Sequence, residues 1–296
     1  MRDARPEDAP AIAEIWAATR PLMVRSVARA EAGLREDAAV GRRRWVGELE
    51  GRVVGTSTAR RRDDGSVTIS VEVHPDFGSR SVGTALLAPT LAAFPGATEL
   101  TAISNDDPIA LAFAVRNGFL PTGEHRLASV DPRTVPPAGP APSGFREVRL
   151  DEVDPELVRY AHNASAADDP GGLSRVFDRE TFRAEWWEGP DHAPELGVGL
   201  LDESGAQPLL VAFTAVQVDR QRGRSWSGMT ATRPAYRGRG LARWVKQRML
   251  NAVAAAGVTS ATTANDATNA PMIAVNDALG YAPVGRTVPV QRRVTR

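Results

Sequence analysis

The sequence predicts an α/β (α+β) protein that consists of two copies of one unit. The predicted strands and helices of the first half recur in the same order in the second half, at an offset of about 160 residues. Three short matches keep that order: Asn105-Asp106 with Asn265-Asp266, Gly118-Phe119 with Gly280-Tyr281, and Val82-Gly83-Thr84 with Leu241-Ala242-Arg243. Three anchors in one order favour a duplicated unit over two unrelated halves.

The first copy opens with a helix at residues 9–18, because Asp8 can cap a helix that carries Pro10 in its first turn. Strands are predicted at residues 44–50, 52–60 and 66–73, since hairpin signals separate these β-type runs. A helix at 84–94, a strand at 99–104 and a helix at 108–116 follow. Asn117-Gly118 is a helix-stop signal.

The second copy follows a change of composition. Residues 131–144 are rich in Pro, Ala and Gly, which is typical of a semi-rigid linker. We therefore predict domains at 1–130 and 145–296. In the second domain, strands are expected at 145–150, 196–201, 208–218, 225–232, 259–264 and 287–294, and helices at 155–166 and 271–279.

A glycine-rich stretch organises the second copy. The strand ending at Thr232 leads into Arg237-Gly238-Arg239-Gly240-Leu241-Ala242, which opens directly into an amphipathic helix. Unpaired N–H groups at a helix start attract phosphate, and glycine lets the backbone approach an anion closely. The stretch is predicted to bind a phosphate group.

These residues carry a family resemblance. The stretch from Arg237 to Ala242 resembles the R/Q-x-x-G-x-G/A acyl-CoA loop of the GNAT acyltransferases, and residues 269–281 resemble the helix that follows the next strand in that family. The resemblance covers nearly the whole chain as a tandem GNAT protein. It implies two domains, each with a mixed, mostly antiparallel central sheet flanked by helices.

The resemblance also implies a cofactor site in the second copy. Backbone groups of the strand would contact the pantetheine arm and stabilise the oxyanion, and the loop would hold the pyrophosphate of acetyl-CoA. The predicted cofactor-binding residues are Met229, Thr230, Ala231, Arg237, Gly238, Arg239, Gly240, Leu241, Ala242, Asn265 and Asn269.

The first copy departs from the loop pattern. Gly78 stands in place of the leading arginine, Ser79 and Ser81 stand in place of the loop glycines, and Gly83 is kept. We expect this copy to bind acyl-CoA poorly and to act structurally.

Catalytic groups are harder to assign. Many GNAT enzymes have a tyrosine as general acid where this chain has Asn276 in the second copy and Ala114 in the first. Asn276 can donate a hydrogen bond but cannot deliver a proton, so either it orients the sulfur or water protonates the thiolate. His162 is the candidate base with the most suitable pKa. The other candidates are Asp168, Asp169 and Glu185; Glu72 in the first copy ends a strand where some GNAT enzymes keep a base.

The composition excludes several classes of protein. The chain has 36 basic and 36 acidic side chains among 296 residues, so we expect no nucleic-acid partner. It has no cysteine, which excludes disulfides and thiol chemistry, and we expect no metal. We expect a cytoplasmic protein without a membrane span or signal peptide. Lys246 is the single lysine, which we attribute to a genome bias toward arginine.

The predicted activity is transfer of acetyl from acetyl-CoA to the amine of a small molecule by direct attack, with secondary metabolism as a possible context. No serine or cysteine nucleophile constellation supports a covalent intermediate. One alternative is an aminoacyl-tRNA donor, for which the arginine clusters at 42–44 and 60–62 are the available basic segments. Another is a non-catalytic module that binds or senses CoA. The sequence indicates neither the acceptor nor the oligomeric state.

Overall fold

The computed structural model describes residues 1–62, 64–78, 80–166 and 176–294. Its helices are α1 (Ala9–Thr19), α2 (Val27–Glu36), α3 (Val82–Ala92), α4 (Pro108–Arg116), α5 (Pro155–Ala166), α6 (Arg179–Phe182), α7 (Leu241–Ala255) and α8 (Ala270–Asp277). Its strands are β1 (Arg2–Asp3), β2 (Arg42–Leu49), β3 (Arg52–Arg61), β4 (Val67–Val73), β5 (Glu99–Asn105), β6 (Leu120–Pro121), β7 (His125–Val130), β8 (Arg146–Arg149), β9 (Val198–Asp202), β10 (Leu209–Asp219), β11 (Arg224–Thr232), β12 (Ser260–Asp266) and β13 (Ala282–Arg293).

The first compact unit consists of Met1–Glu124 and Arg286–Arg296. Its sheet has the order β1-β2-β3-β4-β5-β13, and β4 and β5 are the parallel pair in an otherwise antiparallel arrangement. The sheet is covered on both faces, because successive strand residues point to opposite sides. Trp45 packs in the cluster that includes Leu86 of α3, and its neighbour Val46 packs with Ile12 of α1.

The second compact unit, His125–Gly285, repeats this plan. Its sheet has the order β7-β12-β11-β10-β9-β8, and here β11 and β12 are the parallel pair. Val216 packs against the apolar stripe of α7, which includes Val245 and Met249. Ala215 faces the other way and packs with Phe182 of α6. The predicted α/β class with mostly antiparallel sheets is confirmed.

Each compact unit takes its last strand from the other half of the sequence. From Arg286 onward β13 runs beside β5, with Thr287 opposite Asn105 and Arg293 opposite Glu99. The counterpart beside β12 is β7, which the sequence analysis did not predict. The compact units therefore differ from the sequence-based boundaries of 1–130 and 145–296, because periodicity identifies a strand but not its partner.

Residues 131–144, predicted as a linker, lie along α7 in the second unit. Trp244 donates its indole N–H to the carbonyl of Gly139 at 3.1 Å. The side-chain oxygen of Asn251 accepts from the N–H of Ala138 at 2.8 Å. These bonds hold the segment against the helix.

Two kinds of feature are not found among the described residues. Each helix in the described parts of the chain is too short or too polar to cross a bilayer. Within the same residues, no group of three or more His, Asp or Glu side chains is placed to hold a metal ion.

Candidate functional site

A V-shaped cleft opens in the sheet of the second unit. The parallel pairing of β11 and β12 runs from Arg224 opposite Ser260 to Trp226 opposite Thr262 and is not continued further along the two strands. From Ser227 and Thr263 onward the strands part, so one edge of β11 faces the cleft without a neighbouring strand. Backbone groups along such an edge are available to a ligand.

A β-bulge lies just beyond the point where the strands part. Ser227 pairs with Val216 of β10 and Met229 pairs with Ala215, which leaves Gly228 as the additional residue. A bulge bends a strand and redirects its side chains and backbone groups. The residues predicted to contact pantetheine, Met229 to Ala231, follow this bulge.

The glycine loop lies between the end of β11 and the start of α7. Gly238 and Gly240 both have φ of +76°, a left-handed conformation that favours glycine. A Cβ at either position would meet no atom within 4 Å, so the loop is open. Gly240 is the N-cap residue of α7 and has no side chain to cap the first N–H groups of the helix. The loop therefore presents unpaired N–H groups and the positive end of the helix dipole.

Two exposed arginines add positive charge to this loop. Arg237 is anchored by a hydrogen bond from its Nε to the carbonyl of Thr232 at 3.2 Å. Arg239 lies over the ring of Tyr236, 5.2 Å from its centroid, and the hydroxyl of Tyr236 donates to Asp202 at 2.8 Å. Arginine on a helix N-terminus is suited to phosphate oxygens.

A buried polar cluster lies at the inner end of the cleft; we call Lys246, Asn276, Asn265 and Thr263 the inner polar cluster. Lys246 donates to Oδ1 of Asn276 at 2.6 Å, and Nδ2 of Asn276 donates to Oδ1 of Asn265 at 2.6 Å. The hydroxyl of Thr263 lies 3.5 Å from the Lys246 Nζ. Burial lowers the pKa of Lys246 to about 7. The structure thus places two predicted residues, Asn265 and Asn276, beside an ionisable group.

Sequence reasoning missed Lys246 because the lone lysine was attributed to genome composition. Its side chain is fully buried, with 0% exposure, on a helix that buries Val245 and Met249 as well. The available signal was a charged residue at helical spacing on an apolar stripe, three positions before Met249.

The remaining predicted residues have different surroundings. Asn269 is the N-cap of α8 and accepts from the N–H of Met272 at 3.2 Å. His162 is 2% exposed on α5 and its ring lies 5.3 Å from that of Phe177. Asp168 and Asp169 lie outside the described residues.

The structure reveals an imidazole that the sequence analysis did not consider. Nδ1 of His192 lies 2.9 Å from the carbonyl of Trp187, so this nitrogen carries the hydrogen and Nε2 is the unprotonated atom. Nε2 is buried without a hydrogen-bond partner among the described residues. The ring lies between Trp186 and Trp187, at centroid distances of 4.9 and 5.0 Å. Burial lowers its pKa, so the ring is neutral at neutral pH.

The first unit has a corresponding cleft. Strands β4 and β5 pair at Val67 and Thr68 and then part, and a cavity of about 670 Å³ lies between them. Glu72 lines this cavity and is paired with Arg20, whose Nε lies 3.0 Å from the carboxylate. The hydroxyl of Thr19 donates to the same carboxylate at 3.1 Å. Glu72 is therefore held by two partners.

The loop of the first unit keeps part of the shape of the second. Ser81, the counterpart of Gly240, is the N-cap of α3 with φ of +61°, a strained conformation for serine. Arg80 lies over the ring of Phe77 at 5.7 Å, as Arg239 lies over Tyr236. Ser79 lies outside the described residues. The first copy has thus lost the leading arginine but retains a left-handed turn at its helix.

Comparisons with known proteins agree with this architecture. A model described as the acetyltransferase (GNAT) family matches residues 10–119. The chain is 29% identical over 240 residues to mycothiol acetyltransferase of a Nocardioides species, covering 76% of this chain and 80% of that protein. A tandem GNAT protein from the clavulanic acid biosynthesis pathway matches with TM-score 0.76 and 22% identity over 100% of this chain and 98% of that one. A GCN5-related N-acetyltransferase from Sphaerobacter thermophilus matches with TM-score 0.70 and 21% identity, covering 100% and 95%.

Proposed function

The chain is a tandem GNAT protein and an N-acetyltransferase, and on this premise we propose that its second unit takes acetyl from acetyl-CoA and transfers it to a small-molecule amine. The observation that carries the proposal is the pair of left-handed glycines at the start of α7, beside a cleft between parting strands.

The loop and the cleft match two parts of acetyl-CoA. Unpaired N–H groups at the start of α7, together with Arg237 and Arg239, suit the pyrophosphate. The free edge of β11 suits the amides of the pantetheine arm, since extended backbone pairs with amide groups as a neighbouring strand would. Past the bulge at Gly228, backbone N–H groups of Met229 to Ala231 would stabilise the oxyanion that forms when an amine attacks the thioester.

The inner ends of the two clefts support assigning the donor to the second unit. The duplication aligns Lys246 with Leu87 and Asn276 with Ala114, and both first-unit residues line the 670 Å³ cavity. Only the second unit therefore brings an ionisable side chain to this position among the aligned pairs. The family model matches residues of the first unit, which shows kinship of fold and not which copy is loaded.

Amine deprotonation needs a base near the acceptor. His162, predicted for this role, is packed against Phe177 and stays a candidate. His192 offers an unprotonated Nε2 beside Trp186 and Trp187, which pack against the same core cluster as Met229 of β11. A neutral imidazole with its tautomer fixed by a carbonyl is suited to accept a proton.

Matched variants of the two loops test which unit binds acetyl-CoA. Gly240→Val places a β-branched residue at φ of +76° in the second unit, and Ser81→Val makes the same change at the equivalent position of the first. Acetyl-CoA binding is measured by titration calorimetry for both variants and the wild type. We expect loss of binding in Gly240→Val and retention in Ser81→Val. The reverse result would move the donor to the first unit, and absence of binding in the wild type would refute the proposal.

Release of the CoA thiol in the presence of an amine library tests the reaction. We expect at least one amine to give wild-type release that Gly240→Val abolishes. Acetyl-CoA binding without release for any amine would instead indicate the CoA-binding or sensing module. Transfer from charged tRNA without acetyl-CoA binding would indicate the aminoacyl donor.

A further inference from the structure

The lone lysine of this chain is buried at a position where burial is unfavourable. All other basic side chains except histidine are arginines, and Lys246 is the residue with 0% exposure among them. Moving an ammonium group out of water is costly unless a partner compensates. A fully buried lysine in the cleft of a proposed enzyme is therefore a candidate functional group.

The hydrogen bonds of Lys246 leave its ammonium group incompletely satisfied. An ammonium has three donors, whereas Lys246 has two acceptors within the described residues: Asn276 at 2.6 Å and the more distant Thr263 at 3.5 Å. At least one N–H therefore has no oxygen or nitrogen acceptor among the described residues, and the ring of Tyr281 lies beside the amine. Thr263 is the first residue of β12 beyond its pairing with β11, so the Lys246 amine lies beside the point where the two strands part.

Among the described residues, the neighbours of the Lys246 amine are neutral, so no fixed charge holds the amine in one protonation state. The elements packed around its amine present Thr263, Asn276 and the ring of Tyr281, whose centroid lies 4.7 Å from Nζ. Tyr281 is the ionisable group among these, and burial raises its pKa, so it stays neutral. The pKa of Lys246 is lowered to about 7 by burial, and no charged side chain of the described residues offsets that effect.

The first unit shows what the same positions look like without this group. There the counterparts of Lys246, Asn276 and Thr263 are Leu87, Ala114 and Ile103, which line an open cavity. Asn105, the counterpart of Asn265, donates instead to the carbonyl of Thr19 at 2.8 Å. The inner polar cluster is thus a feature of the second unit.

We propose that the ammonium group of Lys246 supplies the proton that the leaving thiolate of CoA requires, with Asn276 orienting it. This inference rests on the proposed function and assigns the general acid that Asn276 alone could not provide. The resemblance places a tyrosine at the position of Asn276, so a lysine–asparagine pair stands here in place of one hydroxyl.

Cleavage of the carbon–sulfur bond of the thioester is coupled to proton transfer from Lys246. When the carbon–sulfur bond breaks, its electron pair goes to sulfur, an N–H bond of Lys246 breaks and an S–H bond forms. Lys246 becomes a neutral amine, which regains a proton from water after the thiol leaves. A group with a pKa near 7 gives its proton downhill to a thiolate, whose conjugate thiol has an ordinary pKa of about 8.5.

A single lysine makes the test direct. The full-length protein is prepared with ¹³C at Cε of lysine, so NMR shows one lysine signal, which is titrated with pH in the presence of CoA or desulfo-CoA. We expect CoA to raise the pKa of Lys246 by roughly one unit over desulfo-CoA, because a neighbouring thiolate favours the ammonium form. Equal titration curves with the two ligands would overturn the proposal, since the sulfur would then not reach Lys246.

The thiol of bound CoA gives the reciprocal measurement. Its ionisation, followed by thiolate absorbance, is expected about one pH unit higher in Lys246→Met than in the wild type. Lys246→Arg, which keeps the charge, should retain the low thiol pKa and serves if Lys246→Met does not fold. Arg248→Met, on the exposed side of the same helix, should leave the thiol pKa unchanged.

Affinity separates this proposal from the proposed function. Calorimetry should give CoA affinities within about threefold for the wild type and Lys246→Met, because the pyrophosphate contacts are intact. If CoA does not bind the wild type, the proposed function fails and this inference fails with it. If CoA binds normally but Lys246→Met leaves the thiol pKa unchanged, this inference alone is overturned.

Discussion

Replacing Lys246 by methionine should change how stability depends on pH. Met has a similar length and no charge, so Lys246→Met removes the titration while keeping most of the packing. The pKa of the lysine is about 7 in the folded protein against an ordinary value of 10.5. Between these values the unfolded chain binds a proton that the folded chain does not, so the free energy of unfolding of the wild type rises with pH.

The size of this stability difference follows from the shift in the pKa of Lys246. Each pH unit in that window contributes up to about 1.4 kcal/mol. From pH 7 to 9 the folded amine passes from half to almost fully deprotonated, which gives about 2 kcal/mol in favour of the wild type relative to Lys246→Met. Below pH 7 both states of the wild type are protonated and the difference should level off.

Urea unfolding at a series of pH values, followed by fluorescence, measures this difference. Arg248→Met is the matched control, because Arg248 lies on the same helix, is about half exposed and pairs with Glu147 at 2.6 Å. Its difference from the wild type should not vary between pH 7 and 9. A flat difference for Lys246→Met would refute the reasoning, because it would show that the amine keeps its ordinary pKa and is hydrated in the folded protein.

Three further predictions concern other parts of the fold. Ser81→Gly should raise the unfolding temperature in calorimetry by releasing left-handed strain of about 1 kcal/mol, and an unchanged midpoint would show that Ser81 is not strained. A chain ending at Gly285 should show faster amide exchange in β5 but not in β12, because it lacks the strand that pairs with β5; equal protection in both strands would contradict the pairing. Since burial lowers the pKa of His192, the wild type should lose stability relative to His192→Phe as pH falls below about 6.5, and a pH-independent difference would mean that the ring titrates normally.

Features with local causes were predicted well. The glycine loop could be located because left-handed positions at a helix start favour glycine, and both Gly238 and Gly240 have that conformation. Helices such as α4 were bounded by signals within a few residues, since Asn117 and Gly118 stop it. Local signals do not depend on which strands are neighbours, so they can be recognised from the sequence alone.

Features that depend on distant contacts were not predicted. The alternation at 287–294 indicated a strand, yet nothing in it specifies pairing with Glu99–Asn105. Helix α2 was not predicted, because its apolar stripe consists mainly of alanines. Its N-cap Ser26 was available as a signal, since the side chain accepts from the N–H of Arg29 at 3.0 Å. The inner polar cluster joins α7, β12 and α8, and its members become neighbours only when these three elements pack.

Because the chain contains two copies of one fold, its two units can be compared with each other. Both units keep parting strands and a left-handed residue at the helix start, but the second has Gly240 and Arg237 where the first has Ser81 and Gly78. The copies differ also at the inner end of the cleft, where Lys246 and Asn276 stand in place of Leu87 and Ala114. An apolar inner end can enclose part of a ligand but cannot give a proton to a thiolate, whereas an ammonium group can. On the proposed function the copies therefore differ in both anion binding and proton transfer, and the pKa of Lys246 is the quantity that tests the second difference.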